Sequence, residues 1–567
     1  MIENSTLTQH DIELLFSRHT TKAQIAEIAG TDQQAIKLTN AMQDLGLEPN
    51  EVIACLTAFV ELKGKPIPYQ SMATKIGFKL ESIPARAIQM GINILDKIFE
   101  IPMYKLTDGG QLIPLVQFGK RLSSIMLLKM FDLPSIVPLK DLKDSAKPVL
   151  SYDPYVEENE LQEEYCVDVI NKLQKIPFML TDQAADFDES LHVEAKKAAY
   201  AKKALGSGRT FHFEYNYDFR GRIYSSGFHL NPQGTPYDKA SLTVADPQVL
   251  TDTGRDWLYI DLANHLGFGK AEYADRIEAA KKYIEAVQND YPKDDGDKKH
   301  LIERDANILM SERKYVSSYI WLDASASGIQ LMTLMGKGSI EELRRVNLAS
   351  MDYSDPYAIV ADAINNITGK SYSRKMLKIA IMTYFYNSIA EPRKALGEDF
   401  DLFESVMKLK YPSAMKVMKI INKRFDTEKE CHSWVMPDGF TVHQLTYQPT
   451  QLEMKTRFGK THFQAHKVAP NAEKCRSLVP NIIHALDGYI AREMIRRADF
   501  YISPIHDCFC IHANNASKTI LLYNEIANEL ANSNILAFIV AQLEGEFIPY
   551  KVEHKETPIL YSLYSLN

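Results

Sequence analysis

Two short runs of β-favouring residues, far apart in the chain, each stop on an aspartate: "YVSSYIWLDASASGIQ" (315–330) at Asp323 and "FYISPIHDCFCIHA" (500–513) at Asp507. Such β-favouring runs read as strands. In the second, two strand-like runs flank Asp507 as the arms of a hairpin flank its tip. Both acids are therefore expected where a strand meets a turn. Either one alone could cap the next helix or close an Asx-turn.

A third segment gives the pair a chemical context. In "RKMLKIAIMTYFYNS" (374–388), Arg374, Lys378, Met382 and Tyr386 recur every four residues and so share one helix face. That face carries two cations, a thioether and a phenol, a gradation a purely structural helix has little use for. Two carboxylates beside such a face are the parts of metal-assisted phosphoryl transfer. Hard Mg²⁺ prefers carboxylate oxygen, a pair of ions about 4 Å apart serves attacking and leaving oxygens, and cations offset phosphate charge.

The rest of the chain limits the alternatives. Its 567 residues, 45% hydrophobic and 24% charged, suit a globular protein of several domains. A net charge of -8 argues against a surface coated with nucleic acid, but leaves room for a basic channel inside an acidic shell. The local basic clusters "EAKKAAYAKKALGSGR" (194–209), "EPRKAL" (391–396) and "EMKTRFGKTHFQAHK" (453–467) are, singly, ordinary solvated faces. The cysteines 55, 166, 431, 475, 508 and 510 are scattered without zinc spacing, as in a reducing compartment. No apolar run approaches the roughly 20 residues of a membrane span, and the N-terminus lacks a signal-peptide pattern. A cytoplasmic, non-membrane protein is expected.

Residues 1–84 read as short helices; "AQIAEIAGTDQQAIKLTNAM" (23–42) has a helix, Gly turn, helix outline that fits simple packing as well as DNA docking. A helix "ARAIQMGINILDKIF" then leads into a hairpin around a Gly-Gly turn, "EIPMYKLTDGGQLIPLVQF", and a Pro-punctuated connector, "FDLPSIVPLKDLKDSAKP" (131–148). From about 210 short β runs alternate with longer helices, an α+β arrangement.

Together these segments resemble the single-subunit DNA-dependent RNA polymerases of phages and mitochondria. "YNYDFRGRIYSSGFHLNPQG" (215–234) is similar to that family's D-x-x-G-R segment, "DASASGIQ" (323–330) to its motif A, "RKMLKIAIMTYFYNS" to motif B and "IHDCF" (505–509) to motif C, in the family's order. "WVMPDGF" (434–440) and "VPNIIHALDG" (479–488) match further blocks. The resemblance is strong from about 210 onward and weaker back to about 85.

The resemblance implies a right-hand architecture of palm, fingers and thumb: a reduced, mainly helical N-terminal domain over 1–150, its end and a shortened thumb over 151–209, and palm and fingers over 210–567. It implies that Asp323 and Asp507 hold two Mg²⁺ ions with the Ala324 carbonyl as a further ligand. Arg374 and Lys378 would face the NTP triphosphate, as would Lys270, which lies in a weakly matched block. Tyr386 would sit by the nascent base pair and ribose, His484 by the 2′-hydroxyl, and Tyr357 would line the nucleotide site. Arg222, with Tyr224 nearby, would contact the template. Related DNA polymerases carry a bulky Glu where this chain has Gly328. Either Gly328 is a turn residue, or its missing side chain admits the ribose hydroxyl, and within this motif the second reading is preferred. The implied partners are DNA template, nascent RNA and NTPs.

Departures from the family pattern set further expectations. Ile379 stands where well-known phage enzymes have Arg, removing one cation, and Asn387 replaces a Gly after the motif B tyrosine, at the helix pivot. The D-x-x-G-R block comes early, and between 183 and 215 little chain remains for a thumb beyond one helix around "EAKKAAYAKKAL". Segment 443–476 takes the place of the promoter-specificity hairpin, with Lys455, Arg457, Lys460 and Lys467 able to touch DNA. A catalytic hand that opens promoters poorly alone, with an accessory single-stranded-DNA-binding or promoter-recruiting protein, is the expectation. A primase, a relaxed-sugar DNA polymerase and a non-catalytic nucleic-acid-binding module are the competing readings.

Overall fold

The computed structural model describes the chain apart from residues 1–28, 31, 63–64, 82–83, 108–110, 116–117, 119–133, 143–165, 185–194, 196–197, 200, 203–204, 207, 228–229, 289–297, 312, 472–475 and 554–560. Half of the residues of the expected thumb helix around 194–205, half of the 131–148 connector and most of the first half of the 23–42 outline fall outside the described residues.

The N-terminal unit has its own core. Helices α1 (Gln33–Asp44) and α2 (Pro49–Leu62) precede β1 (Ile67–Pro68), α3 (Tyr69–Gly77) and α4 (Pro84–Lys97), and the expected Gly-Gly hairpin follows as β2 (Tyr104–Leu106) and β3 (Gln111–Pro114). Asp32 caps α1 by accepting from the N–H groups of Gln34 and Ala35 at 3.1 and 3.0 Å. Met42, Leu56, Met72, Ile76, Ile92 and Leu95 close the interior of this unit.

A second, larger core runs from Leu142 to Leu566. Its elements include α5 (Val167–Gln174), the hairpin β4 (Tyr215–Tyr217) and β5 (Ile223–Ser225), α6 (Asp252–His265), α7 (Lys299–Met310), β6 (Tyr319–Asp323) and α8 (Ser327–Met335). After these come α9 (Pro356–Thr368), α10 (Arg374–Phe385), α11 (Pro412–Asn422), β7 (Tyr447–Thr456), β8 (Gly459–Val468), α12 (Leu478–Arg497), β9 (Ile502–Ile505), β10 (Cys508–His512) and α13 (Ala516–Ala531). The α+β arrangement expected from the sequence is present.

The sheet at the centre is small and antiparallel, in the order β6, β10, β9. Asp323 pairs with Cys508, and Ile505 pairs with the same Cys508 across the hairpin. The chain end returns to this sheet: the Asp323 N–H donates to the Asn567 carbonyl at 3.1 Å and the Asn567 N–H to the Asp323 carbonyl at 2.8 Å. Helix α12 is buried on almost every side, so it runs through the core and is not laid on it.

Two buried ion networks brace this frame. Arg492 forks onto Asp438 at 2.5 and 3.0 Å, donates to the Gly221 carbonyl at 2.8 Å and lies over the Phe440 ring. Gly221, at φ +80°, is required there because a Cβ would come within 2.4 Å of that guanidinium. Behind the sheet, Asp261, His265 and Asp305 cluster closely enough to suggest a metal site. Arg304 supplies their counter-charge, donating to Asp305 at 2.9 and 2.5 Å while lying over Trp321. The cluster reads as a structural ion network.

Strands β7 and β8 form a long hairpin, within the segment expected to be one, whose tip reaches the N-terminal unit. Phe458 packs edge-on against Tyr69 and Phe99, and Met454 is buried in that unit's core. Arg457 lies over Phe99 and pairs with Glu100 at 2.5 Å, and Lys460 pairs with Glu453 at 2.6 Å. Two of the four hairpin cations are thus engaged within the protein. No helix of the described residues is long and apolar enough to cross a membrane.

Candidate active site

The site is assembled at the open end of the central sheet. His506 takes φ +59°, the left-handed backbone that a two-residue hairpin tip calls for. This sets Asp507 at the tip between β9 and β10, beside the last residue of β6. The Ala324 N–H donates to the Asp507 carbonyl at 3.1 Å, joining the two acid-bearing turns directly.

The two acids line one cleft together with Lys270, Ala324, Gly328, Tyr353, Asp355, Tyr357, Arg374, Lys378, Met382 and Tyr386. All four residues of the motif B face are there. Helix α10 is capped by Ser373, which accepts from the Met376 N–H. Its other face buries Leu377, Ala380, Ile381, Tyr384 and Phe385, so the apolar spacing that anchors the helix also fixes which edge meets the cleft.

Asp323 opens to the cleft but has protein on its remaining sides. Burial, and then the charge of Asp507, push its carboxyl up to about 7, with Lys270 and Lys378 opposing. Crowded carboxylate oxygens at the ends of neighbouring strands are a donor set suited to a hard divalent cation. Lys270 is itself lowered, by burial and then by Arg374. Arg374 is not simply free to meet an anion, because its Nε pairs with Asp355. Asp355 caps α9 by accepting from the N–H groups of Tyr357 and Ala358 at 3.0 and 3.2 Å. Arg374 and Lys378 lie 5.4 and 5.8 Å from the Tyr357 ring centre, which places Tyr357 as a platform under both cations.

Gly328, in the first turn of α8, faces the far end of α10. A Cβ built there would meet nothing closer than the Tyr386 hydroxyl, at 4.0 Å. That hydroxyl lies 3.3 Å from His484 Nε2. His484 is pushed down to about 3 by burial, then by Arg222 and Arg220, with His506 adding to them, so its imidazole is neutral at ordinary pH.

The remaining expected residues sit just behind the cleft. Arg222 donates to the buried Asp487 at 3.1 and 2.8 Å, and burial followed by Asp507 raises Asp487 to about 7. Tyr224 reaches Asp218 and packs edge-on against His506. Neither Arg222 nor Tyr224 lines the cleft. Sequence reading missed Asp355, Tyr353 and Asp487, and it missed Arg220, which lies inside the quoted "YDFRGR" and could have been found there.

The two departures in α10 also have places. Ile379 is half exposed and outside the cleft. Asn387 adopts φ +60°, the conformation a Gly would take without strain, and uses its amide in a reciprocal pair with Asn422 of α11, 2.7 Å in each direction.

The family model described as DNA-dependent RNA polymerase matches residues 248–391 and 380–557, more than half of the chain. The chain belongs to that family. A probable DNA-directed RNA polymerase of Gelasinospora sp. (strain G114) is 24% identical over 484 residues, covering 68% of this chain and 57% of that protein. The mitochondrial DNA-directed RNA polymerase of Schizosaccharomyces pombe is 22% identical over 418 residues, 61% of this chain and 36% of its own length. The chloroplastic/mitochondrial DNA-directed RNA polymerase 2 of Arabidopsis thaliana is 22% identical over 422 residues, 62% and 41% respectively. The match thus spans less than two thirds of each of these relatives. The family model covers Asp323, Arg374, Lys378, Tyr386, His484 and Asp507 but begins after Arg222 and Tyr224.

Proposed function

We propose that this protein is a DNA-directed RNA polymerase that extends an RNA 3′ end with NTPs on a DNA template, releasing pyrophosphate. The observation that carries the reading is the cleft itself, where two aspartates share one lining with Lys270, Arg374 and Lys378 and with Tyr386, whose hydroxyl lies beside Gly328. Phosphates, sugar and base each have a chemically matched wall. In this reading the central sheet is the palm and α10 belongs to the fingers.

Asp323 and Asp507, with the Ala324 carbonyl, would hold two Mg²⁺ ions, which when bound lower the barrier by stabilising charge on the attacking and leaving oxygens. The chain's own groups do the positioning. Lys378 and Lys270 orient the triphosphate, Arg374 adds the donors its Asp355 pairing leaves over, and Tyr357 fixes the direction of both α10 cations. Tyr386 and His484 meet the ribose in the space Gly328 leaves, and Arg222 and Tyr224 stiffen the template side from behind.

We also propose that the chain transcribes phage-type genes and that duplex opening depends on a partner or a pre-melted template. The engagement of Arg457 by Glu100 and of Lys460 by Glu453 supports this, since it leaves fewer hairpin cations for DNA phosphates. The test offers the purified protein NTPs or dNTPs with Mg²⁺ on primed single-stranded, pre-melted and fully duplex templates. NTP-selective extension on the first two, with little on the third, is expected. Preference for dNTPs would overturn the sugar reading, and efficient specific transcription of linear duplex would overturn the partner reading.

A further inference from the structure

Arg220 is held in one orientation by the segment that carries it. Its Nε and one terminal nitrogen fork onto Asp218 at 2.9 and 2.7 Å. The same carboxylate accepts from the backbone N–H groups of Arg220 and Arg222 at 2.9 and 3.0 Å. The other terminal nitrogen of Arg220 lies 2.7 Å from His484 Nδ1. A guanidinium has donors only, so Nδ1 accepts, and the proton of the neutral imidazole sits on Nε2.

The consequence passes along a line of hydrogen bonds. His484 Nε2–H donates to the Tyr386 hydroxyl oxygen across 3.3 Å, so the Tyr386 O–H proton is released to point elsewhere. The open space beside that hydroxyl is the space at Gly328. With the opposite tautomer, Nε2 would accept from Tyr386, and the hydroxyl proton would turn away from the cleft.

We infer that Arg220 is a positioning residue that holds His484 as its Nε2–H tautomer, so that Tyr386 presents a donor to a sugar hydroxyl and the site prefers ribonucleotides. This rests on the sugar reading under the proposed function. A ribose hydroxyl accepts that donor; a deoxyribose leaves it unpaired. Arg220 acts through His484 and Tyr386 and touches no substrate itself.

The test compares kcat/KM for an NTP and its matching dNTP, with Mg²⁺, on a primed single-stranded template, using the full chain. In R220M the NTP:dNTP ratio is expected to fall about tenfold, the scale of one lost polar contact in a formed site. R220K, which keeps a cationic donor, is expected to hold the ratio within about threefold. Equal losses for both nucleotides in R220M would overturn the inference, because a merely structural role moves both together. His484→Ala is run alongside: an unchanged ratio there would overturn the sugar reading and this inference with it, whereas a changed ratio there with an unchanged one in R220M overturns the inference alone. Should R220M melt early, R220Q is read against R220K by the same ratio.

Discussion

Replacing Gly328 with Glu puts the sugar reading under direct strain. A Cβ at this position is in ordinary contact distance, 4.0 Å from the Tyr386 hydroxyl, so the backbone accepts a side chain. Each further carbon extends about 1.5 Å, so the rest of the glutamate must fill the space in front of Tyr386. That removes the room for a sugar hydroxyl and leaves the Tyr386 donor without it, a loss of about 1–3 kcal/mol. The NTP:dNTP ratio of kcat/KM in G328E should therefore fall by about 10- to 100-fold, carried by the NTP, with the dNTP value within a few fold of wild type. G328A is the control: its Cβ fits, and the ratio should change by less than about threefold. Steady-state primer extension with single nucleotides measures both, with thermal melting to confirm folding. A well-folded G328E that keeps the wild-type ratio would refute the assignment of this space to the sugar.

Two other outcomes follow from the frame around the site. In R492M, Asp438 is left buried without its cation and the Gly221 carbonyl loses its donor, which should cost about 3–5 kcal/mol; a clear drop in melting temperature checks it, and an unchanged one would contradict it. His484, held at about 3 when folded, takes up a proton on unfolding below its ordinary value near 6.5. Stability is thus fully present above about pH 6.5 and declines as pH falls toward 3, and His484→Asn should show a smaller drop in melting temperature between pH 7 and 5 than wild type. An equal drop would mean that His484 titrates normally in the fold.

The parts of the site legible in the sequence are those fixed by local rules. Strand-like runs ending at Asp323 and Asp507, and the four-residue spacing of Arg374, Lys378, Met382 and Tyr386, follow from side-chain periodicity alone, and the structure brings all six to one cleft. Ordered motifs supplied the family. What sequence could not supply are contacts between distant segments. The capture of Arg374 by Asp355, the fork of Arg222 on Asp487 and the approach of Arg220 to His484 each need a tertiary fold to exist. The return of 564–567 to the edge of β6 carries no periodic pattern, and neither does the joint that Arg457, expected as a cation able to touch DNA, and Phe458 make with the N-terminal unit. Asn387 is a middle case: its replacement of a Gly was visible, while its pairing with Asn422 was not.

The proposed function requires Asp323 and Asp507 to carry metal-dependent nucleotidyl transfer. It is tested most directly by titrating Mg²⁺ in NTP extension of a primed template with wild type, Asp323→Asn and Asp507→Asn, each shown to be folded. Loss of at least about 10²- to 10³-fold in each variant, not restored by excess Mg²⁺, is expected. Either variant extending the primer within tenfold of wild type would contradict the account.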